Sequence, residues 1–275
     1  MRIAVLQMTS GIDPAANAAT IAAAIGAAKA GGAQMLFTPE MSGLIDRDRA
    51  RAAPHIVPPG QDPVLAQVRA AARQQGLWVA LGSLAVRRPD GRFANRSFVI
   101  DPTGAITATY DKMHMFDVTL ASGETWRESA AYVPGEEVVT AAVPGLGTLG
   151  LSICYDVRFP ALYQELGKHA CDVVAIPAAF TKPTGAAHWH LLQRARAVEA
   201  SAYVVAAAQV GRHEDGRETY GHSLVVDPWG EVLLDMGGDQ PGLGFAEIDP
   251  ARIAEVRAQL PSLANRRPMP QSART

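Results

Sequence analysis

The first apolar run, Ile3-Ala4-Val5-Leu6, sits between Arg2 and Gln7 and predicts a strand from Arg2 to Met8. Asp13-Pro14 then offers an N-cap and a first-turn proline, Ile21, Ile25 and Ala28 share a face, and Gly31-Gly32 ends the helix. The run from Gln34 reads as a second strand, stopped by Pro39, that delivers Glu40 at its end. A helix is predicted over Pro63 to Gln75, followed by strands at Leu77 to Val86, Phe93 to Asp101 and Ala105 to Tyr110, with turns at Asp90-Gly91 and Pro102-Thr103-Gly104. Thr148 to Ile153 reads as a buried strand, Ala161 to Leu166 as a helix start, and Cys171 to Ile176 as a strand. A helix over Ala187 to Ala202 carries a stripe of Leu191, Leu192, Ala195 and Val198, which predicts its buried face, with Arg194, Arg196 and Glu199 on its other sides. Strands at Tyr203 to Gln209, Tyr220 to Val226, Gly230 to Asp235 and Gly244 to Ile248 follow, then a helix at Pro250 to Gln259.

Strands and helices mix throughout without a linker-like stretch or an internal repeat, so the pattern predicts one α/β domain through residue 267. Two helix-covered sheets stacked on each other would make it a four-layer α-β-β-α sandwich. The tail, 268–275, is expected to be disordered or to dock on a partner subunit. A formal net charge of -2 and scattered basic residues leave no electrostatic footprint for nucleic acid or for an anionic membrane surface. No apolar run approaches the roughly 18 residues that span a bilayer, and the first residues lack a signal-like core, so a cytoplasmic location is expected. Two cysteines make no disulfide framework, and Cys171 reads as a packed strand residue.

Cys154 is different, because the apolar run ends at it and a polar, turn-forming segment, Tyr155-Asp156-Val157-Arg158-Phe159-Pro160, follows. A sharp strand-to-helix connection exposes a side chain and aims backbone N–H groups beside it, which favours a thiolate and can bind an oxyanion. The other reading is a small buried hydrophobe. Glu40 and Lys112 also stand at the ends of apolar runs. A thiol with a pKa of about 8.5 needs a base or a cationic neighbour near neutrality; Glu40 can take its proton and Lys112 can favour negative forms. An ordinary Glu–Lys ion pair is the alternative.

Pro39-Glu40, Asp111-Lys112-Met113-His114 with Phe116-Asp117, and Ile153-Cys154-Tyr155-Asp156-Val157-Arg158-Phe159-Pro160 resemble, in order, the signature segments of the nitrilase superfamily, the carbon–nitrogen hydrolases. The resemblance runs from Met1 to about Arg267 and implies the four-layer sandwich, a Glu40–Lys112–Cys154 triad, no metal or organic cofactor, and pairing into a homodimer or higher homo-oligomer. It further implies that Cys154 attacks an amide carbonyl, that Glu40 carries the proton to departing ammonia and then activates water, and that Lys112 and the Tyr155 N–H hold the oxyanion. Glu128, in Trp126-Arg127-Glu128-Ser129, matches the family's additional site glutamate; an exposed loop carboxylate is the other reading. Glu124, Glu136 and Glu137 read as solvated charges.

Gly185-Ala186-Ala187-His188-Trp189, Arg194 to Glu199 and Gln209 to Glu214 are similar to the deaminated-glutathione amidase branch, which implies a small amide substrate that carries a carboxylate. Omega-amidases and N-carbamoyl amino-acid hydrolases share the triad, and a non-catalytic scaffold is the alternative of another class. Cys154-Tyr155-Asp156 departs from the Cys-Trp-Glu of true nitrilases, which argues against nitrile hydrolysis. Arg158, Phe159 and Thr181 are the candidates for substrate binding, with an internal salt bridge the alternative for Arg158. His188 and His190, two apart on a helix, point to different sides and lack a completing ligand, so no metal site is expected. His114 and His222 read as structural hydrogen-bonding residues, and Gly145-Leu146-Gly147 as a turn.

Overall fold

A computed structural model describes residues 1–119, 123 and 125–268. In chain order its first half contains β1 (Arg2–Gln7), α1 (Pro14–Ala30), β2 (Met35–Phe37), α2 (Arg49–Ala52), α3 (Pro63–Gln75), β3 (Trp78–Arg87), β4 (Phe93–Ile100), β5 (Ile106–Asp111), β6 (Asp117–Thr119) and β7 (Thr125–Arg127). The second half contains β8 (Thr140–Val143), β9 (Gly147–Leu151), α4 (Pro160–Lys168), β10 (Val173–Ala175), α5 (Lys182–Ala200), β11 (Tyr203–Ala206), β12 (Val210–Arg212), β13 (Glu218–Tyr220), β14 (Leu224–Val226), β15 (Val232–Asp235), β16 (Gly242–Glu247) and α6 (Pro250–Gln259).

Two six-stranded sheets form, in the orders β16-β1-β2-β3-β4-β5 and β15-β14-β11-β10-β9-β8. Strand alternation decides which residues meet. Ala4, Leu6 and Leu36 face outward and pack with Ile21, Ile25, Val64 and Val68 of α1 and α3. Ile3, Val5, Met35 and Phe37 face the other way and join Leu149, Leu151, Val173 and Val205 of the second sheet. Beyond that sheet, Leu162 and Leu166 of α4 and Trp189 and Ala197 of α5 complete the same core. The layers are therefore α-β-β-α, as the sequence predicted.

The centre of each sheet is parallel: β1, β2 and β3 in the first, β9, β10 and β11 in the second. Parallel strands put all their C-terminal ends on one rim, where open α/β sheets place their binding crevices. Glu40 follows β2, Cys154 follows β9, and Lys112 follows β5. The segment that carries Glu40 packs tightly against β3 at this rim. A Cβ on Gly82 of β3 would lie 2.1 Å from the Thr38 carbonyl oxygen and 2.4 Å from that of Pro39, so only glycine lets the Glu40 loop seat there.

The expected boundaries shift in several places. The apolar stretches at Tyr203 to Gln209 and Tyr220 to Val226 break into shorter pieces because residues leave one sheet to pair elsewhere: Val210 pairs with Tyr220 in the β12–β13 hairpin, and Ala178 bridges Ala208. The stripe on α5 is a larger correction. Leu191 is 68% exposed and Val198 42%, whereas Trp189, Gln193, Arg196, Ala197 and Ala200 are buried. Arg196 turns inward because its Nε donates to the Val157 carbonyl at 2.7 Å and its guanidinium lies over the Tyr163 ring. Glu136 and Glu137 are exposed as expected, Glu124 lies outside the described residues, and so does the tail from 269 onward.

Candidate active site

The connection after β9 is built for display. Cys154 has φ 50°, a left-handed conformation that costs a non-glycine residue about 1–2 kcal/mol. Asp156, fully buried, holds the turn from within. Its carboxylate accepts from the Ile153 N–H (2.9 Å), the Tyr110 hydroxyl (2.7 Å) and the His114 N–H (2.9 Å), and its Oδ1 lies 2.7 Å from His114 Nδ1. The Cys154 N–H is spent on the Pro177 carbonyl at 2.8 Å. The turn thus fixes both the position and the strain of the thiol.

Around that thiol the structure gathers the polar residues expected from the sequence. Lys112 Nζ donates to Glu40 Oε1 at 2.9 Å and to both Glu128 oxygens at 3.0 and 2.9 Å. Glu40 Oε2 accepts from the Ala179 N–H at 2.9 Å, and its carboxylate lies close enough to the Cys154 thiol for each to act on the other's charge. Glu128 is therefore part of the cluster rather than a solvated loop carboxylate, and the Phe116 N–H at 2.6 Å fixes its Oε2.

These groups set one another's charge. Burial is the strongest influence on Glu40 and pushes its carboxyl up, but the Lys112 charge and the hydrogen bonds from Cys154, Lys112 and Ala179 together hold it below the ordinary carboxylate range. Burial pushes Lys112 down, yet Glu128 and Glu40 reverse this and leave the ammonium well above its usual range. Burial pushes the Cys154 thiol well up, and the Glu40 charge adds to that. The resting site is a neutral thiol against a carboxylate, with a buried ammonium behind it.

Several supporting residues were not singled out by sequence. Asn95 of β4 donates through Nδ2 to Glu40 Oε1 (2.9 Å) and Glu128 Oε1 (3.3 Å); a buried amide in an apolar strand was the available signal. Gln209, fully buried, donates to the Glu40 carbonyl at 3.0 Å and to Ser10 Oγ at 2.7 Å, which pins the glutamate's backbone. Tyr132 carries a phenol that burial pushes up and that also feels Glu128, Arg217, Glu40 and Lys112.

The three expected substrate contacts divide. Among the described residues Arg158 has no carboxylate partner; its terminal nitrogens lie 3.4 Å from His188 Nδ1 and its guanidinium over Phe180. The internal salt bridge weighed for it is not formed. Phe159 stacks on His114 at 3.7 Å and meets the Tyr155 ring edge-on, with Phe116 against Tyr155 on the other side, giving an aromatic wall. Thr181 caps α5 by position, but its hydroxyl is engaged with that of Thr184 at 2.7 Å. His188 and His190 do part, as expected. His190 joins His222, whose rings Asp235 holds by hydrogen bonds of 2.9 Å each.

The family model described as carbon–nitrogen hydrolase matches residues 2–258. The chain belongs to that family. Among curated members, the deaminated glutathione amidase of Yersinia enterocolitica is 38% identical over 96% of this chain and 92% of its own length. The NitFhit protein of C. elegans superposes with a TM-score of 0.88 at 37% identity, and covers 97% of this chain, which spans 65% of the worm protein. An amidase from Nesterenkonia sp. AN1, solved as a glutamate-to-glutamine variant with acrylamide added to its active-site cysteine, superposes at 0.79 with 28% identity over 94% of this chain and 98% of its own. Family membership and these amidases make the protein a cysteine-dependent amidase.

Proposed function

We propose that residues 1–267 act as one hydrolase unit that cleaves the amide of deaminated glutathione or a close 2-oxo amide, through a thioester on Cys154. The observation that carries the reading is the Cys154 thiol set beside a carboxylate that a buried ammonium, 2.9 Å from it, keeps ionised. Attack of Sγ on the carbonyl carbon passes the thiol proton to Glu40, so no free thiolate has to form in the dry site. The oxyanion falls to Lys112 Nζ and the Tyr155 N–H, which has no acceptor among the described residues. Glu40 then protonates the departing nitrogen, the C–N bond breaks, and the carboxylate is free to take a proton from the water that opens the thioester. Glu128 holds Lys112 aimed throughout.

The substrate decides the leaving group. The amide nitrogen of deaminated glutathione bears cysteinylglycine, so its cleavage at the oxo-diacid releases an amine; a primary amide such as 2-oxoglutaramate releases ammonia. The ammonia expected from the sequence resemblance therefore applies to the second substrate and not to the first.

Arg158, whose guanidinium meets no carboxylate among the described residues, takes the carboxylate of the oxo-diacid. Arg158→Ala is expected to raise KM for both substrates by about tenfold or more, the order of one charge-assisted hydrogen bond, with kcat changed far less. Steady-state kinetics on both compounds tests this; an unchanged KM would remove Arg158 from the site.

The pairing implied by the resemblance also finds a surface. Leu191, Val198, Trp229 and Leu233 are exposed, and Arg194 Nε binds the Gly230 carbonyl at 2.7 Å, joining the outer face of α5 to the turn before β15. A second copy of the chain covers this face. Light scattering should then give twice the 29.1 kDa chain mass, falling to one chain in Leu191→Arg.

A further inference from the structure

Beyond the triad, one half-buried cation has a job left undone. Arg217 stands at the start of the β13 hairpin strand with its side chain only 18% exposed. Its Nε donates to Asp215 Oδ2 at 2.8 Å, and the Asp215 carboxylate, itself buried, also accepts from the Arg217 N–H at 3.0 Å. This grip fixes the guanidinium but leaves both terminal amino groups without an acceptor among the described residues. The same guanidinium lies over the Trp126 ring at 5.1 Å, where Arg47 also stacks at 5.5 Å. The Trp126 indole N–H is buried and has no hydrogen-bond partner among the described residues. A buried indole N–H is rarely left unpaired, and a partly exposed guanidinium fork over the same ring suits a carboxylate.

The place is connected to the chemistry. Trp126 precedes Glu128 by two residues and packs against Phe116, whose N–H holds Glu128 and whose ring meets Tyr155, next to the nucleophile. Arg217 also acts on the Tyr132 phenol, together with Glu128, Glu40 and Lys112. Arg158, by contrast, lies against His188 and Phe180, whereas Arg217 lies against Asp215 and Trp126. The rim thus offers two separate guanidinium positions, and a deaminated glutathione has two carboxylates, one on the oxo-diacid and one at the glycine end.

We infer that Arg217, with the Trp126 indole N–H, binds the carboxylate on the leaving-amine side of a peptide-like amide, and so makes the enzyme prefer such substrates over short primary amides. The inference rests on the amidase reading above and deepens it. Arg217 touches no reacting atom and is a binding residue.

The test uses the full chain and three substrates: deaminated glutathione, the same compound with its glycine carboxylate converted to a carboxamide, and 2-oxoglutaramate. Wild-type KM is expected to rise at least tenfold on going from the first to the second. Arg217→Ala should raise KM for the first at least tenfold with kcat within about threefold, and should leave KM for the other two within about twofold. Trp126→Phe, which keeps the ring and removes only the N–H, should move KM in the same selective direction by a smaller factor. The wild-type comparison needs no variant and holds even if Arg217→Ala folds poorly. Equal wild-type KM for the free and amidated compounds, or a KM change in Arg217→Ala shared by all three substrates, would overturn the subsite. A wild-type enzyme that turns over 2-oxoglutaramate but not deaminated glutathione would instead sink the substrate reading, and the subsite with it.

Discussion

Glu40→Gln is expected to lower turnover by about a hundredfold to ten-thousandfold, the range of a lost general base, while making Cys154 easier to alkylate. Both effects come from the same contacts. In the native site burial and the Glu40 charge push the thiol up against the opposing pull of Lys112. The amide of glutamine removes that charge and keeps the ammonium, so the thiolate forms at lower pH than in the wild type. The rate of iodoacetamide alkylation against pH should therefore shift to the acid side as kcat collapses. In the wild type, Glu40 lies below the ordinary carboxylate range, so the acid limb of kcat/KM belongs below about pH 4.5. A Glu40→Gln protein with normal turnover, or with an unshifted alkylation profile, would contradict the assignment of the base.

Lys112→Met should damage stability as well as turnover. It removes an oxyanion donor, which typically costs about a hundredfold to a thousandfold in kcat. It also strands Glu40 and Glu128, which share Lys112 and Asn95 Nδ2 as donors, in a buried site without their cation. Breaking a buried pair in this way costs about 3–5 kcal/mol. The sign of the pH dependence should invert. In the wild type the Glu40 pKa is lowered on folding, so its stabilising contribution is present at neutral pH and is lost as pH falls through that lowered value. In the variant the unpaired carboxyls are raised on folding, so stability is greatest in acid and is lost as pH rises from about 4 toward about 8. Urea midpoints measured across that range check it; a midpoint equal to wild type at neutral pH would mean that Lys112 is not the counter-charge.

Much of the site was legible because its residues end apolar runs and fall in segments that resemble the family's signatures, Glu128 through that resemblance alone. Glu40, Lys112 and Cys154 each mark the place where a strand gives way to a turn, and parallel strands bring those places to one rim. Asn95 and Gln209 were not legible, since a buried amide inside a strand looks like any alternation error until its partner, here Glu40, is placed beside it. The α5 stripe misled for a related reason. Periodicity finds an apolar face but does not say what covers it, and Arg196 is drawn inward by a carbonyl, Val157, from another element. Arg217 likewise gains meaning only when the β12–β13 hairpin carries it to Trp126, some ninety residues earlier in the chain.

The claim that matters most is the thioester on Cys154. Turnover of deaminated glutathione in the presence of hydroxylamine, by wild type and by Cys154→Ala, tests it directly, because hydroxylamine intercepts an acyl-enzyme as a hydroxamate. The account predicts that hydroxamate replaces the free acid in the wild type and that Cys154→Ala forms neither product. Free acid as the sole acyl product of the wild type at saturating hydroxylamine, or undiminished acid from Cys154→Ala, would contradict it.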